Sequence, residues 1–378
     1  MNIHGLRGFV AVLVFLLTAA PVCAAKKEPL GRVTSLAGGV QVQSEDDAVW
    51  RQAALKMIVY FGDSVRTLED GESIITLSDD SIIKIHPNSH VALNSIVSPV
   101  EEKNSILLFF GRIWNKIAKK ALKKKRFEVQ TPTAVCGVRG TAFETAAYED
   151  GSVVVLVEEG AVSVDNDVSA QTLAANQGTE VTIETRQIET TTGLAPNWRQ
   201  KEQESRQKLF SDGEKYGGRV KGEIDRRNDY IKQLVQEAAA LKKRRDELKT
   251  AAAEAQAGGD TIVYEDLAAR IAAANEALKD LNRRIAYEGR RLECQFGLFT
   301  RYGELARHPI YAEQFNGKDF ILAELDNVEM IRAEFDAMME EGLKLSMEDM
   351  EDLMDEMRDK MKDFRNSRTK SDPFTELD

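Results

Sequence analysis

The chain has 378 residues, with 51 Lys and Arg against 62 Asp and Glu, giving a formal charge of -11. With 43% hydrophobic and 30% charged residues it has enough apolar material for two or three folded domains, which excludes wholesale disorder, and its acidic balance argues against general nucleic-acid binding. Four His and three Cys exclude a zinc ribbon, a zinc finger or a dense disulfide framework.

Residues 1–25 join a short start carrying His4 and Arg7, an apolar stretch from Gly8 to Ala20, and small residues before Lys26. This is the layout of a signal peptide, cleaved after Ala24 or Ala25. An uncleaved anchor is the alternative, but Pro21 interrupts the run and about 20 apolar residues are needed to span a bilayer. Cys23 follows Ala20-Pro21-Val22, a poor lipoprotein signal because a small residue should stand at Val22. The mature chain is expected outside the cytoplasm, in the periplasm or beyond, with Cys136 and Cys294 as its remaining cysteines. A disulfide is permitted there, but Cys136 lies in a strand-like run and Cys294 in a helical one, which favours two separate buried thiols.

From Gly31 onward short apolar alternations are broken by turn residues. Val40-Gln41-Val42, Ser73 to Leu77, Ile82 to Ile85 and Ser89 to Leu93 have period two and read as strands. Glu69-Asp70-Gly71, Ser78-Asp79-Asp80-Ser81, His86-Pro87-Asn88, Glu149-Asp150-Gly151 and Glu158-Glu159-Gly160 supply the turns. That spacing leaves no room for crossover helices, so residues 29–188 are expected to be all-β, as a sandwich or a solenoid-like stack of short strands.

Gly62-Asp63-Ser64-Val65-Arg66-Thr67 after Trp50, Asp80 to Ser89, Phe127 to Ala134 running into Val138-Arg139-Gly140-Thr141-Ala142-Phe143, and Glu158 to Val164 followed by Ala174 to Gly178 resemble the FecR family. The resemblance covers Gly31 to Ile188. It implies a FecR-like periplasmic fold. The family is named for the sensor domain of the ferric citrate regulator, which relays an outer-membrane signal to a cytoplasmic anti-sigma segment. At most seven residues precede the apolar run here, so no such segment is expected at this end, and the fold and binding character are what the resemblance carries over.

The motif residues Gly62, Asp63, Thr131, Pro132, Arg139, Gly140 and Thr141 read as structural. Gly62 and Asp63 form a turn in which glycine takes a positive φ and the carboxylate caps local N–H groups, and Gly140 marks a close backbone approach within a strand. Arg139, in the apolar run from Ala134 to Phe143, needs a carboxylate or carbonyl partner if buried; an internal ion pair is preferred over ligand binding. His86 and His90 are four apart, but Pro87-Asn88 makes the segment a turn into a strand, which discards a helical metal pair. No Ser-His-Asp arrangement, phosphate loop or Cys-His cluster occurs, so neither an enzyme nor a cofactor is expected.

Trp114 to Arg126 contains no acid and concentrates Lys119, Lys120, Lys123, Lys124, Lys125 and Arg126. It reads either as a solvated hairpin tip or as a contact for anionic lipid, a cell-wall polymer or an acidic protein surface.

Residues 189–200, with Pro196, read as a linker. Beyond it Ile231, Leu234, Ala238, Leu241 and Leu248, and then Leu267, Ile271, Ala274, Leu278, Leu281 and Ile285, follow spacings of three and four. Gly258-Gly259-Asp260 separates the two seams, which predicts an antiparallel coiled-coil hairpin over 201–307. Arg245 stands at a seam position and is expected to snorkel. Further helices are expected over 308–367, one beginning near Phe320 with Leu325, Val328, Ile331 and Phe335 on one face, and a tail over 368–378. Met347, Met350, Met354, Met357 and Met361 recur at three and four; a packing face is preferred over a copper(I) site, and acidic residues around them could attract the basic segment. The expected function is an exported, non-enzymatic envelope binding or scaffolding protein. Its partner is another protein or an envelope polymer, with self-association through the helices also open. The alternative is a periplasmic sensor component that relays an envelope signal to a separate membrane protein.

Overall fold

The computed structural model describes residues 29–342, apart from 46, 48, 98–101, 119–125 and 139. Strands come first: β1 (Pro29–Ala37), β2 (Val40–Gln43), β3 (Arg51–Gln52), β4 (Ile58–Tyr60), β5 (Ser64–Thr67), β6 (Glu72–Leu77), β7 (Ile82–Ile85), β8 (His90–Val97) and β9 (Glu102–Lys116). They continue as β10 (Arg126–Gln130), β11 (Val135–Val138), β12 (Ala142–Ala147), β13 (Val153–Glu159), β14 (Ala161–Asp165), β15 (Ala170–Ala174), β16 (Gln177–Val181) and β17 (Thr191–Thr192). The strands make two sheets. The first runs β4-β1-β6-β7-β9-β12-β13-β16-β17. The second runs β3-β2-β5-β8-β9-β10-β11-β14-β15.

β9 belongs to both sheets. Its first part pairs β8 and β10, and from Gly111 onward it pairs β12 and β7. The switch needs a backbone that leaves the extended region, and Gly111 supplies it with a φ of 97°. Alternate residues of both sheets then face one apolar core. Ile75, Ile83, Ile113, Phe143 and Val155 come from the first sheet, and Val65, Leu93, Leu108, Val129, Cys136 and Val164 from the second. The arrangement is a sandwich, and Cys136 and Cys294 are separate buried thiols.

Among the described residues four helices follow: α1 (Trp198–Ser211), α2 (Gly213–Ala257), α3 (Thr261–Arg307) and α4 (318–342). Each of the first three starts on a side-chain cap: Asn197 accepts from the Gln200 N–H, Asp212 from Lys215 and Asp260 from Val263. α2 and α3 form the antiparallel hairpin, turning at residues 258–260, with Ile231, Leu234, Leu267, Ala274, Leu281 and Ile285 buried along it. At its base the hairpin joins a second core, in which Phe296, Phe299 and Tyr302 of α3 meet Leu209 of α1 and Leu325, Val328 and Phe335 of α4. Among the described residues no helix is long and apolar enough to cross a membrane.

Several expectations change. β10 runs parallel to β9, with Arg126 beside Lys103 and Gln130 beside Leu107, so the two strands that flank the basic segment do not form a hairpin with each other. Within the segment, Trp114 to Lys116 end β9 and Ile117 is buried. Gly140 stands in the bend between β11 and β12, with a φ of 65°, where the chain passes from the second sheet to the first; that conformation cannot continue a ladder. In place of a free linker, Thr191-Thr192 pair with Gln177-Gly178, and α1 begins at Trp198 ahead of the hairpin. Arg245 is buried instead of snorkelling, with its guanidinium on Asp246 at 2.7 Å. The signal peptide, the methionine stripe and its acidic neighbours lie outside the described residues.

A Cβ at Gly111 would come within 2.5 Å of three Ser89 atoms, in addition to the strain of its φ. Gly111→Ala should therefore destabilise the sandwich by about 3 kcal/mol or more, read as a lower urea midpoint for loss of the β signal in circular dichroism. An unchanged midpoint would mean that the bend in β9 tolerates a side chain.

Candidate coupling site between the sandwich and the helices

Two charged turns of the sandwich hold the base of the helices. The first joins β12 to β13. Its residues Glu149 and Asp150 are buried, at 6% and 4% exposure, so each carboxylate needs partners. Asp150 accepts from the Ser205 hydroxyl at 2.9 Å and pairs with the Lys208 ammonium at 3.1 Å, while its own N–H donates to Ser205 Oγ at 2.8 Å. Glu149 accepts from Arg206 Nε at 2.7 Å and from Arg301 Nε at 3.1 Å. One turn thus ties α1 to α3.

The second turn joins β14 to β15. Asn166, fully buried, accepts from the N–H groups of Val168 and Ser169 and shapes the loop, and the Asp167 N–H donates to Asp165 Oδ1 at 2.9 Å. Asp167 sits at a φ of 70°, a conformation that Asp tolerates better than most residues. Its carboxylate meets Arg227 of α2 at 2.8 Å and Arg291 of α3, whose side chain is 0% exposed. Arg227 also pairs with Glu288, and Arg186 reaches Glu223 at 3.1 Å. Burial by itself would raise the Asp167 carboxyl, but Arg291 and Arg227 outweigh it and hold the carboxyl below its ordinary value.

Backbone strain collects at this seam. Asn88, Asp167 and Arg186 all have positive φ, and all three reach the helices, Asn88 by donating from Nδ2 to Glu202 Oε1 at 3.0 Å. Non-glycine residues in this region cost on the order of 1–3 kcal/mol each and persist where surrounding contacts over-determine them. Apolar contact completes the seam. Phe109 of β9 packs with Cys294 of α3, and a Cβ at Gly297 would meet Phe109 at 2.4 Å, so only glycine allows this approach. On the first sheet Ala146, Tyr148 and Val154 pack with Trp198 of α1.

A family model described as FecR protein matches residues 63–163. The chain carries a FecR domain. Two crystal structures of "a putative anti-sigma factor from Parabacteroides distasonis" align at 21% identity and a TM-score of 0.31, over 34% of this chain; the chain spans 59% of the length of theirs. A solved "Cell surface anchoring domain" aligns at 30% identity and a TM-score of 0.16, over 17% of this chain and 82% of its own length. No curated protein matches the chain.

The motif residues of the FecR domain are spread through the sandwich. Gly62 has a φ of 89°, and Asp63, buried, accepts from the Tyr60 N–H at 2.9 Å. Thr131 Oγ1 donates to the Ala134 carbonyl at 2.7 Å within the β10–β11 turn, and the Pro132 carbonyl accepts from Gln295 of α3 at 3.3 Å, so this motif touches the helices. Thr141 is buried, and its carbonyl accepts from the Ile117 N–H at 2.9 Å. Arg139, Lys119, Lys120, Lys123, Lys124 and Lys125 lie outside the described residues, and of Arg126 only the backbone is described. His86 and His90 sit apart in the turn and in β8, each with a pKa pushed down to about 3 by burial and then by nearby cations. Sequence reasoning treated Glu149-Asp150 as a plain turn and passed over Asp167, Arg227 and Arg291. A signal was present: Ile224, Arg227, Ile231 and Leu281, Ile285, Glu288, Leu292 continue the hairpin seam at spacings of three and four, which sets Arg227 opposite Glu288.

Asp167→Ala should lower stability by about 3 kcal/mol, because it leaves the buried Arg291 charge without its carboxylate; the partial exposure of Asp167 itself trims the upper end of that range. With its folded pKa depressed, Asp167 contributes stability above its ordinary value of 3.8 and loses it as pH falls through the lower folded value. Thermal melts should therefore show a decline below about pH 4 in the parent that is shallower in the variant. Equal stabilities at neutral pH would show that the turn does not hold the helices.

Proposed function

We propose that this protein is a non-enzymatic sensor component of the cell envelope. Its FecR domain holds a coiled-coil arm in one posture and passes a change at the sandwich to a protein partner. The observation that carries this reading is the seam, where strained sandwich residues and buried charges fix the arm at its base. The hairpin turn stands about 45 Å beyond Arg227 along α2, so a small change in tilt at the base becomes a large displacement at the tip. The FecR match supports a signalling role and protein partners, and the signal-peptide pattern of residues 1–25 supports export. A scaffold would serve equally well with helices on a loose tether, whereas a relay requires two elements that move as one. The basic residues from Lys119 to Arg126 are a second candidate contact, for an anionic partner.

The test compares three strains of the encoding organism: parent, gene deletion, and an unlatched double variant, Asp150→Ala with Asp167→Ala, confirmed by immunoblot to be present. Deletion and unlatching should each change the transcripts of the same discrete set of genes. Unchanged transcripts in both, alongside altered envelope permeability, would contradict the sensor reading and favour a scaffold.

A further inference from the structure

Beside the coupling seam, between β5, β8 and β9 of the second sheet and α3, lies a groove of about 660 Å³, within the size range of small-molecule sites. Its sandwich wall is aromatic. The His90 ring lies 5.3 Å from Trp50, 4.6 Å from Phe109 and 5.8 Å from Phe110, each edge to face. His90 is neutral, its pKa pushed down to about 3 by burial and then by Arg66, Arg332 and Arg301, so it adds no charge to this wall.

Arg66 projects from β5 into the same groove. Its Nε donates to Gln41 Oε1 at 2.6 Å, and its guanidinium lies 4.2 Å over the Trp50 ring. Those two contacts fix its plane and leave the terminal nitrogens without an acceptor among the described residues. Arg112, Arg206, Arg227, Arg291 and Arg301 each hold a carboxylate, but among the described residues none comes within ion-pair distance of Arg66. Glu304, which also lines the groove, is already paired with Arg301 at 3.2 Å and acts on Arg66 only through space. Glu293 on the helical wall is likewise paired, with Arg332 at 3.3 Å.

Among the cations lining the groove, Arg301 and Arg332 are paired and Arg66 is the oriented guanidinium with no carboxylate at ion-pair distance among the described residues, next to an apolar platform. Glu69, Glu293 and Glu304 around it would repel a second negative charge. We propose that the groove binds a small organic monocarboxylate, its two oxygens on the terminal nitrogens of Arg66 and its apolar body against His90 and Phe109. Arg301 lines the groove and also holds Glu149, so the ligand sits next to the seam, yet binding stands whether or not the helices carry a signal.

The test is titration calorimetry on the full chain, with Trp50 fluorescence as a second readout. The probes are 3-phenylpropionate, its neutral amide 3-phenylpropionamide, and the dianion phenyl phosphate. The carboxylate should saturate below about 10 mM, with the amide and the phosphate at least about tenfold weaker. Arg66→Gln should melt within about 3 °C of the parent, since no protein carboxylate is orphaned, and lose at least about tenfold in affinity for the carboxylate. Arg66→Lys, which keeps the charge without the fork, should weaken the carboxylate and leave the amide unchanged. The proposal is overturned by no binding of the carboxylate at that concentration, by equal binding of carboxylate and amide, by tighter binding of the phosphate, or by full affinity in Arg66→Gln. If Arg66→Gln melts lower, Arg66→Lys decides, and equal weakening of both probes would overturn the site.

Discussion

The guanidinium of Arg291 has no access to water and rests on the carboxylate of Asp167. A buried guanidinium cannot shed its charge as a buried lysine can, so α3 can lie where it does only if the β14–β15 turn delivers an acid to that spot. The turn delivers it by taking Asp167 into the left-handed region. From this pairing follow the approach of Arg227, which shares the same carboxylate, and its contact with Glu288. The register of α2 against α3 at the base of the hairpin is set there, and the apolar seam above it carries that register outward.

Apolar contact alone would hold the helices less specifically. The outer faces of the sheets offer the helices only small clusters, with Ala92, Leu107 and Phe109 on one side and Ala146, Tyr148 and Val154 on the other. Hydrophobic burial is non-directional and would tolerate sliding. The Glu149-Asp150 turn does not, because Ser205, Arg206, Lys208 and Arg301 each meet it at a defined atom. Buried ion pairs often add little net stability over an apolar replacement, but they penalise every arrangement in which they separate. That penalty restricts the helices to one placement on the sandwich.

Much of this architecture was legible in the residues, and the parts that were not share a cause. Strands such as β6 and β7 announced themselves because one face of each is buried, giving a clean alternation. The hairpin did so because its seam repeats at three and four with glycines at the turn. Both are local signals. Which strand pairs with which is not local, and so the parallel pairing of β9 with β10 went unread. The coupling site was hidden for a related reason: a Glu-Asp-Gly turn has the same composition whether its acids face solvent or a neighbouring helix. Only on the helices was there a trace, since Arg227 and Glu288 continue apolar seams where a surface charge has no place.

The base of the helices and the FecR domain should open as one cooperative unit, with the outer hairpin less constrained. Amide hydrogen exchange on the full chain tests this directly. Residues 198–235 and 285–307 should exchange through the same opening event as β12 and β13, while residues 238–280 exchange sooner. Fast exchange throughout the helices, with the strands still protected, would contradict this and show that the sandwich and the helices are merely joined in sequence.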